Sequence, residues 1–217
     1  MKRMKSLLAV ALIAAPAIAA YAIAPANAAD CPDAEVIFAR GRSEAPGIGW
    51  IGNAFVDALR SKTDRSVGVY AVVYDADTDV IGGATDMSRR IQYMAANCPN
   101  TRQVLGGYSL GAAVTDIVLG APTPMFGYNN PLPPSANDHI AAIALFGNGT
   151  QSVFGPVSAV SPIYGGKTID VCTDMDLVCR GTIDANDPGA SWSAHLQPAY
   201  IDSGAVDGAA DFVAARI

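Results

Sequence analysis

Apolar runs alternate along this chain with segments in which apolar residues recur every three or four positions. The apolar and β-branched runs predict strands at 34–39, 67–74, 102–105, 140–146 and 168–172. Helical spacing predicts helices at 51–62, 83–97, 112–119 and 206–216. The run at 140–146 is apolar at every position, which is typical of a central strand covered on both faces. This alternation predicts an α/β fold with a parallel sheet and helices on both faces.

The first 28 residues follow another pattern, in which three basic residues precede an apolar run that ends in the small-residue site Ala26-Asn27-Ala28. This pattern predicts a secretory signal peptide at 1–28. A membrane anchor is the alternative, but two prolines interrupt the run and the final site suits cleavage. Residues 29–217 are then expected to form a single domain, secreted to the extracellular space or the cell wall.

The charge balance limits the possible partners. The chain has 14 Lys and Arg against 20 Asp and Glu, and three of the basic residues fall in the leader, which leaves 11 against 20 and a net charge of −9. This acidic balance argues against nucleic acid as a partner. No basic amphipathic face is present to hold the protein on anionic lipid, so no stable membrane anchor is expected. A monomer is the expected state.

The chain has four cysteines, an even number that in an exported protein indicates two disulfides. Three pairings are possible among Cys31, Cys98, Cys172 and Cys179. A zinc site is the alternative. It is disfavoured because no Cys-x-x-Cys pair occurs and neither histidine lies at metal-ligand spacing from a cysteine, so no metal is expected.

The segment Gly107-Tyr108-Ser109-Leu110-Gly111 lies between a predicted strand and a predicted helix. This is the pattern of the nucleophile elbow of serine hydrolases, in which a sharp turn leaves room only for glycine on both sides of the serine. The turn exposes the hydroxyl of Ser109 and points the next backbone N–H, that of Leu110, to where an oxyanion forms.

A serine nucleophile needs a base, and the chain has two histidines. His139 directly precedes a strand, at the amino end of the sheet, whereas Ser109 follows its strand at the carboxyl end, where sites in open α/β sheets collect. We therefore expect His139 to be a surface or capping residue. His195 lies in a segment, 189–198, that is predicted to be a loop. It keeps the order Ser, Asp, His of α/β-hydrolases and is the predicted base.

The acid that orients the base is expected between these two residues, just past a strand end. Two candidates lie in the loop between Cys172 and Cys179, where a disulfide would hold a carboxylate in place. Position alone leaves five aspartates open: Asp170, Asp174, Asp176, Asp184 and Asp187.

Several motifs, spread over about residues 31–212, match one family. They are Phe38-Ala39-Arg40-Gly41, Cys98-Pro99, Gly106-Gly107-Tyr108-Ser109, Gly111-Ala112-Ala113, Cys172 with Asp176-Leu177-Val178-Cys179, and His195. Together they resemble the cutinases, particularly the secreted cutinase-like proteins of mycobacteria. The resemblance implies a small α/β-hydrolase with a five-stranded parallel sheet and no large lid. It also implies Asp176 as the acid, and disulfides that join Cys31 to Cys98 and Cys172 to Cys179.

Two positions depart from the fungal cutinases. There a serine directly after the Phe-Ala-Arg-Gly run contributes its hydroxyl and its N–H to the oxyanion hole, whereas this chain has Arg42 at that place and Ser43 one place later. Leu110 stands where fungal members have glutamine. The expected oxyanion hole consists of the N–H groups of Leu110 and Arg42, with Ser43 as the residue that would compensate for the missing hydroxyl. Loss of one such donor typically costs about 10² to 10³ in kcat.

The predicted function is hydrolysis of carboxylic esters through an acyl-enzyme, without a cofactor. The expected substrates are short- to medium-chain fatty acyl esters or lipids, bound in a shallow apolar groove near Leu110 and residues 188–196. The alternatives are acyl transfer to an alcohol by the same residues, and a secreted antigen or binding protein with weak catalysis. We expect Trp50 and Trp192 to pack rather than to flank the groove. The sequon Asn148-Gly149-Thr150 is expected to be a turn, because it directly follows a buried strand.

Overall fold

The computed structural model describes residues 31–174, 176–180 and 188–217. The predicted signal peptide at 1–28 lies outside these ranges, as do two of the acid candidates, Asp184 and Asp187. Within the described ranges, no helix is both long and apolar enough to cross a membrane.

One five-stranded parallel sheet forms the centre of the fold. Its strands are β1 (Ala34–Ala39), β2 (Val67–Ala71), β3 (Arg102–Tyr108), β4 (Ile140–Phe146) and β5 (Thr168–Val171). Their order is β2-β1-β3-β4-β5. The chain first adds β2 on one side of β1 and then adds β3, β4 and β5 on the other side, so the strand order reverses between β1 and β3. Ligands of open α/β sheets bind at such a switch point, outside the carboxyl ends of the strands. The predicted fold class is confirmed.

Helices connect the strands and cover both faces of the sheet. They are α1 (Gly49–Ser61), α2 (Val80–Asn97), α3 (Leu110–Gly120), α4 (Gln151–Phe154), α5 (Val157–Val160), α6 (Pro162–Gly165), α7 (Leu177–Arg180), α8 (Pro188–His195), α9 (Gln197–Asp202) and α10 (Ala205–Ala214), with a 3-10 helix at Pro134–Asp138. The predicted loop at 189–198 is wrong. Pro188 begins α8, a position at which proline's fixed φ favours a helix start.

The strand alternation divides the core into two layers. Val36 and Phe38 point to the face covered by α1 and α10, whereas Ile37 and Ala39 point to the face covered by α2 and α3. Both β1 and β4 are buried at every position, because each lies between two neighbouring strands and under both helical layers.

Two disulfides tie this fold together, with the pairing that the resemblance implied. The Cys31–Cys98 bridge, with a Cα–Cα distance of 5.6 Å, joins the start of the described chain to the end of α2. The Cys172–Cys179 bridge, with a Cα–Cα distance of 5.9 Å, closes the turn that follows β5. The second bridge therefore constrains a short segment at the carboxyl end of the sheet.

Candidate active site

Ser109 lies in a tight turn between the end of β3 and the start of α3. Its φ of 54° is in the left-handed region, which non-glycine residues rarely adopt. A Cβ on Gly107 would lie 2.2 Å from the carbonyl oxygen of Gly111, and one on Gly111 would lie 2.0 Å from the carbonyl oxygen of Ala39. Both positions therefore require glycine. The strained turn places the Ser109 side chain at the carboxyl edge of the sheet, as the elbow pattern predicts.

Three predicted residues meet at this edge. His195 Nε2 lies 2.8 Å from Ser109 Oγ, and His195 Nδ1 lies 2.7 Å from Asp176 Oδ2. The imidazole and the carboxylate are shielded from water, with 2% of His195 and none of Asp176 exposed. In this arrangement a carboxylate can hold the hydrogen on Nδ1, so that Nε2 is free to accept the serine proton.

Asp176 is buried, yet its surroundings favour the charged form. Burial by itself raises the pKa of this carboxyl, but hydrogen bonds from His195 and Tyr200 outweigh burial and hold the pKa below its usual range. The backbone N–H of Val178 adds a further bond to Oδ1 at 2.8 Å. The Cys172–Cys179 bridge closes the turn that carries Asp176, so a covalent link constrains the segment of the predicted acid.

The other described candidates lie away from the base. Asp174 is fully exposed and forms an ion pair with Arg180 at 2.8 Å. Asp170 lies within β5 and accepts a hydrogen bond from Asn148 rather than from His195. His139 follows the 3-10 helix and precedes β4, where it caps the helix as predicted. Of the described candidates, only Asp176 meets His195.

Two tyrosines that the sequence reasoning missed contact the predicted acid and the predicted base. The hydroxyl of Tyr200, which is fully buried, donates to Asp176 Oδ2, the same oxygen that faces His195. The hydroxyl of Tyr108 donates to the backbone carbonyl of His195, and its ring stacks on the imidazole with a centroid distance of 5.5 Å. A signal for Tyr108 was available, since a tyrosine beside the nucleophile on a buried strand needs an acceptor for its hydroxyl.

A second polar cluster lies under the turn that follows β4. Asn148 is 1% exposed, and its amide nitrogen lies 2.9 Å from a carboxylate oxygen of both Asp116 and Asp170. The hydroxyl of Thr150 donates to Asp116. Burial, opposed by the Asn148 hydrogen bond and aided by the charge of Asp116, raises the pKa of Asp170 to about 7. Residues 148–150 form a turn, as predicted, and its asparagine faces inwards.

The cutinase family model matches residues 30–217. The chain belongs to the cutinase family. A Mycobacterium tuberculosis relative, "Probable carboxylesterase Culp2", is 59% identical over 205 residues, covering 94% of this chain and 88% of that protein. A second M. tuberculosis relative, "Phospholipase Culp4", is 49% identical and covers 100% and 92% of the two chains. The prediction of a carboxylic ester hydrolase of the cutinase family is confirmed.

Solved structures show the same fold. A Trichoderma reesei cutinase in complex with a phosphonate inhibitor superposes with a TM-score of 0.62 at 29% identity, over 84% of this chain and 75% of that one. The catalytic core domain of acetyl xylan esterase from T. reesei has a TM-score of 0.69 at 20% identity, over 87% and 100% of the two chains. At this low identity the second likeness concerns the fold alone.

The turn after β1 carries the departure from the fungal cutinases. Two side chains hold this turn: Arg40 donates to the carbonyl oxygens of Glu44 and Tyr74, and the Glu44 carboxylate accepts the Gly41 N–H at 2.6 Å. The side chain of Arg42 is exposed. The Ser43 hydroxyl donates to Asp77 at 2.7 Å. Because this hydroxyl is already bound to a carboxylate, the geometry argues against its replacing the fungal serine hydroxyl.

Both tryptophans of the chain are exposed in part, and one of them lies beside His195. Trp192 is 54% exposed, and its ring centroid lies 5.4 Å from that of His195. Trp50 is 73% exposed. The prediction that both tryptophans pack is therefore wrong for Trp50, whereas Trp192 is partly exposed and its ring contacts the ring of His195. In the described part of the chain, no three His, Cys, Asp or Glu side chains are grouped to hold a metal.

Proposed function

We propose that this member of the cutinase family hydrolyses esters of short- to medium-chain fatty acids through an acyl-enzyme on Ser109. One observation carries the proposal: an unbroken line of hydrogen bonds runs from the serine hydroxyl through His195 to the buried carboxylate of Asp176. The relatives named carboxylesterase and phospholipase support ester bonds as the substrate class.

In the proposed reaction, Ser109 Oγ attacks the ester carbonyl carbon while His195 Nε2 takes the hydroxyl proton. Asp176 holds the imidazole in the required tautomer and stabilises the charge that forms on it. The tetrahedral oxyanion is bound by the N–H groups of Leu110 and Arg42. Leu110 begins α3, so its N–H has no acceptor within the helix and is available to a ligand.

Collapse of this intermediate breaks the bond to the alcohol, and His195 delivers the proton to the leaving oxygen. Water then attacks the acyl-enzyme, His195 takes a proton from it, and Ser109 recovers its hydroxyl as the fatty acid leaves. Removal of the leader at 1–28 and export belong to the same proposal, since two disulfides suit an oxidising compartment.

The test is hydrolysis of p-nitrophenyl butyrate by the wild type and by Ser109→Ala. We expect kcat to fall by at least about 10⁴ in the variant, because the remaining groups of such a site give only weak catalysis. Ser61→Ala, which removes an exposed hydroxyl at the end of α1, is the matched control and should leave the rate unchanged.

Intact-mass analysis after treatment with an alkyl phosphonate should show one adduct on the wild type and none on Ser109→Ala. Equal rates in the wild type and in Ser109→Ala would contradict the proposal. Formation of butyl butyrate when butanol is added would instead show transfer of the acyl group to an alcohol.

A further inference from the structure

An apolar groove with a volume of about 360 Å³ runs along one face of α3. We call it the α3 groove. Its floor includes Ala113, Ile117 and Gly120, and its rim carries Phe126 and Phe154. It differs from the shallow groove expected near residues 188–196, because its walls come from α2, α3, the 125–126 turn and the 150–160 segment.

The α3 groove lies on the helix face that starts at Leu110, the residue directly after Ser109. Ala113, Ile117 and Gly120 follow one another at helical spacings of four and three residues, and the same spacing leads back from Ala113 to Leu110. At a rise of about 1.5 Å per residue, the groove begins about 5 Å along the helix from Leu110 and continues for about 10 Å.

The lining favours a hydrocarbon over a polar ligand. Phe126 is 87% exposed and Phe154 is 70% exposed, so carbon atoms at the rim lie in water until something covers them. The polar side chains of the lining, Asp116 and Thr150, are hydrogen-bonded to each other. A sugar or a peptide would lose its water here without gaining donors and acceptors, whereas an alkyl chain loses nothing by leaving water.

The position of the base decides which part of an ester would enter. His195 must reach the leaving alcohol oxygen to protonate it, so the alcohol portion lies on the side of α8. The acyl portion, which stays bonded to Ser109 Oγ, then extends in the other direction. The α3 groove, whose described lining residues include none from α8, is the apolar surface that we assign to it.

We propose that the α3 groove binds the hydrocarbon chain of the acyl group and so sets the acyl-chain preference of this protein. The proposal rests on the ester hydrolysis proposed above. Each methylene buried in an apolar groove is worth about a fourfold gain in kcat/KM. Medium-chain esters that reach into the groove are therefore favoured over short ones.

Two variants test the groove. A Cβ on Gly120 would have Val160 Cγ2 as its nearest neighbour at 3.9 Å, so Gly120→Trp fills the far end without a backbone clash. Phe154→Glu places a charge on the rim. The matched control is Val73→Glu, because Val73 is also 70% exposed but lies outside the groove lining.

The measurement is kcat/KM for p-nitrophenyl decanoate and p-nitrophenyl butyrate. Both groove variants should lower the decanoate value at least tenfold and leave the butyrate value within twofold, and Val73→Glu should change neither. An equal fall on both esters, or an unchanged decanoate value, would overturn the proposal. The proposal would also be overturned if the groove variants lost activity on dodecyl acetate but not on ethyl acetate or on the p-nitrophenyl esters. That result would place the alcohol chain in the groove.

A binding measurement separates this proposal from the catalytic one. Ser109→Ala should bind dansyl-undecanoic acid with a rise in fluorescence, and addition of Gly120→Trp should abolish the rise. If the wild type hydrolyses no ester but this result holds, the hydrolysis proposal fails and the groove assignment stands. Absence of probe binding to Ser109→Ala would overturn the groove assignment.

Discussion

Asp170 and Asp176 lie close together in the chain, on either side of the end of β5, yet their surroundings favour opposite charge states. Asp176 is fully buried and accepts hydrogen bonds from His195, Tyr200 and a backbone N–H. Asp170 is largely buried and shares a single amide donor, that of Asn148, with a second carboxyl group, Asp116. Burial favours the neutral form at both sites, so the number of donors and the neighbouring charge decide the outcome.

The difference shows what the proposed role of Asp176 requires. At Asp176, donors hold the pKa below the ordinary range and keep the charge that the proposed base, His195, needs. At Asp170, a like-charged neighbour adds to burial and raises the pKa to about 7. Burial of an aspartate is therefore insufficient as a criterion for the acid, and the donors around Asp176 support its proposed role.

The largest difference in activity is expected between the variants in which Asp176 or Asp170 is replaced by asparagine. Asp176→Asn should lower kcat for p-nitrophenyl butyrate by about 10⁴, because an amide neither holds the required tautomer nor stabilises the imidazolium. Asp170→Asn should stay within threefold of the wild type, since it contacts Asn148 and not His195. A comparable loss in both variants would show that the two carboxyl groups do not differ in role.

A smaller effect is expected from the donor that distinguishes Asp176. Tyr200→Phe should lower kcat about 10- to 100-fold, in line with about 1.5 to 3 kcal/mol for a hydrogen bond to a charged group. In the wild type the hydrogen bond from Tyr200 lowers the pKa of Asp176, so its removal should raise that pKa. Because the reaction needs the ionised acid, the acid limb of the pH–rate profile should move to higher pH.

Tyr164→Phe is the control for this variant, since Tyr164 is also buried but lies in the core layer on the other face of the sheet. Its pH–rate profile should match that of the wild type. A fall in kcat for Tyr200→Phe with an unshifted profile would indicate a packing role and no influence on the charge of Asp176.

The smallest effect concerns stability. The pKa of Asp170 is about 7 in the folded protein and near its ordinary low value in the unfolded chain, so the folded state holds an extra proton between these limits. Stability should therefore decline as pH rises from about 4 through about 7. Asp170→Asn removes this titration, and we expect it to be more stable than the wild type by about 1 to 3 kcal/mol at pH 8.

Urea unfolding at pH 5 and at pH 8 measures this difference. The two proteins should be closer in stability at pH 5, where Asp170 is protonated and resembles an amide. Asp176 contributes with the opposite sign, because its pKa is lower in the folded protein than in the unfolded chain. Its contribution to stability is present at pH values above the pKa of the unfolded chain and is lost as the pH falls through the folded pKa. Equal pH dependence in the wild type and in Asp170→Asn would contradict a raised pKa at Asp170.

Much of the sheet could be predicted, because burial governs its pattern. The bounds of β4 agree with the prediction at both ends, since every side chain in it is buried. The prediction for β2 ran past its end at Ala71, because Val72 and Tyr74 remain buried after the chain has left the sheet. Apolar periodicity reports burial, and it marks a strand end only where burial stops there as well.

The site was less accessible to sequence reasoning. The elbow could be predicted because its glycine pattern lies within five consecutive residues, although the space at Gly111 is limited by the carbonyl oxygen of Ala39 in β1. The acid could not be chosen by position, since its role depends on contacts with His195 and Tyr200, and only the family resemblance pointed to Asp176. The pairing of Asp116 with Asp170 was missed for the same reason: the two residues come from α3 and β5 and meet only through Asn148.

The inward-facing Asn148 has a practical consequence for producing this protein in a eukaryotic host. Its sequence, Asn148-Gly149-Thr150, is an acceptor for N-linked sugar, but in the folded protein the amide nitrogen is bonded to two carboxyl groups and hidden from any transferase. A glycan can be attached only before the chain folds, and it then prevents the turn from closing. If the protein is secreted from yeast, a glycosylated band on a gel would thus measure the fraction of chains that failed to fold. Thr150→Ala, which removes the sequon, would abolish that band.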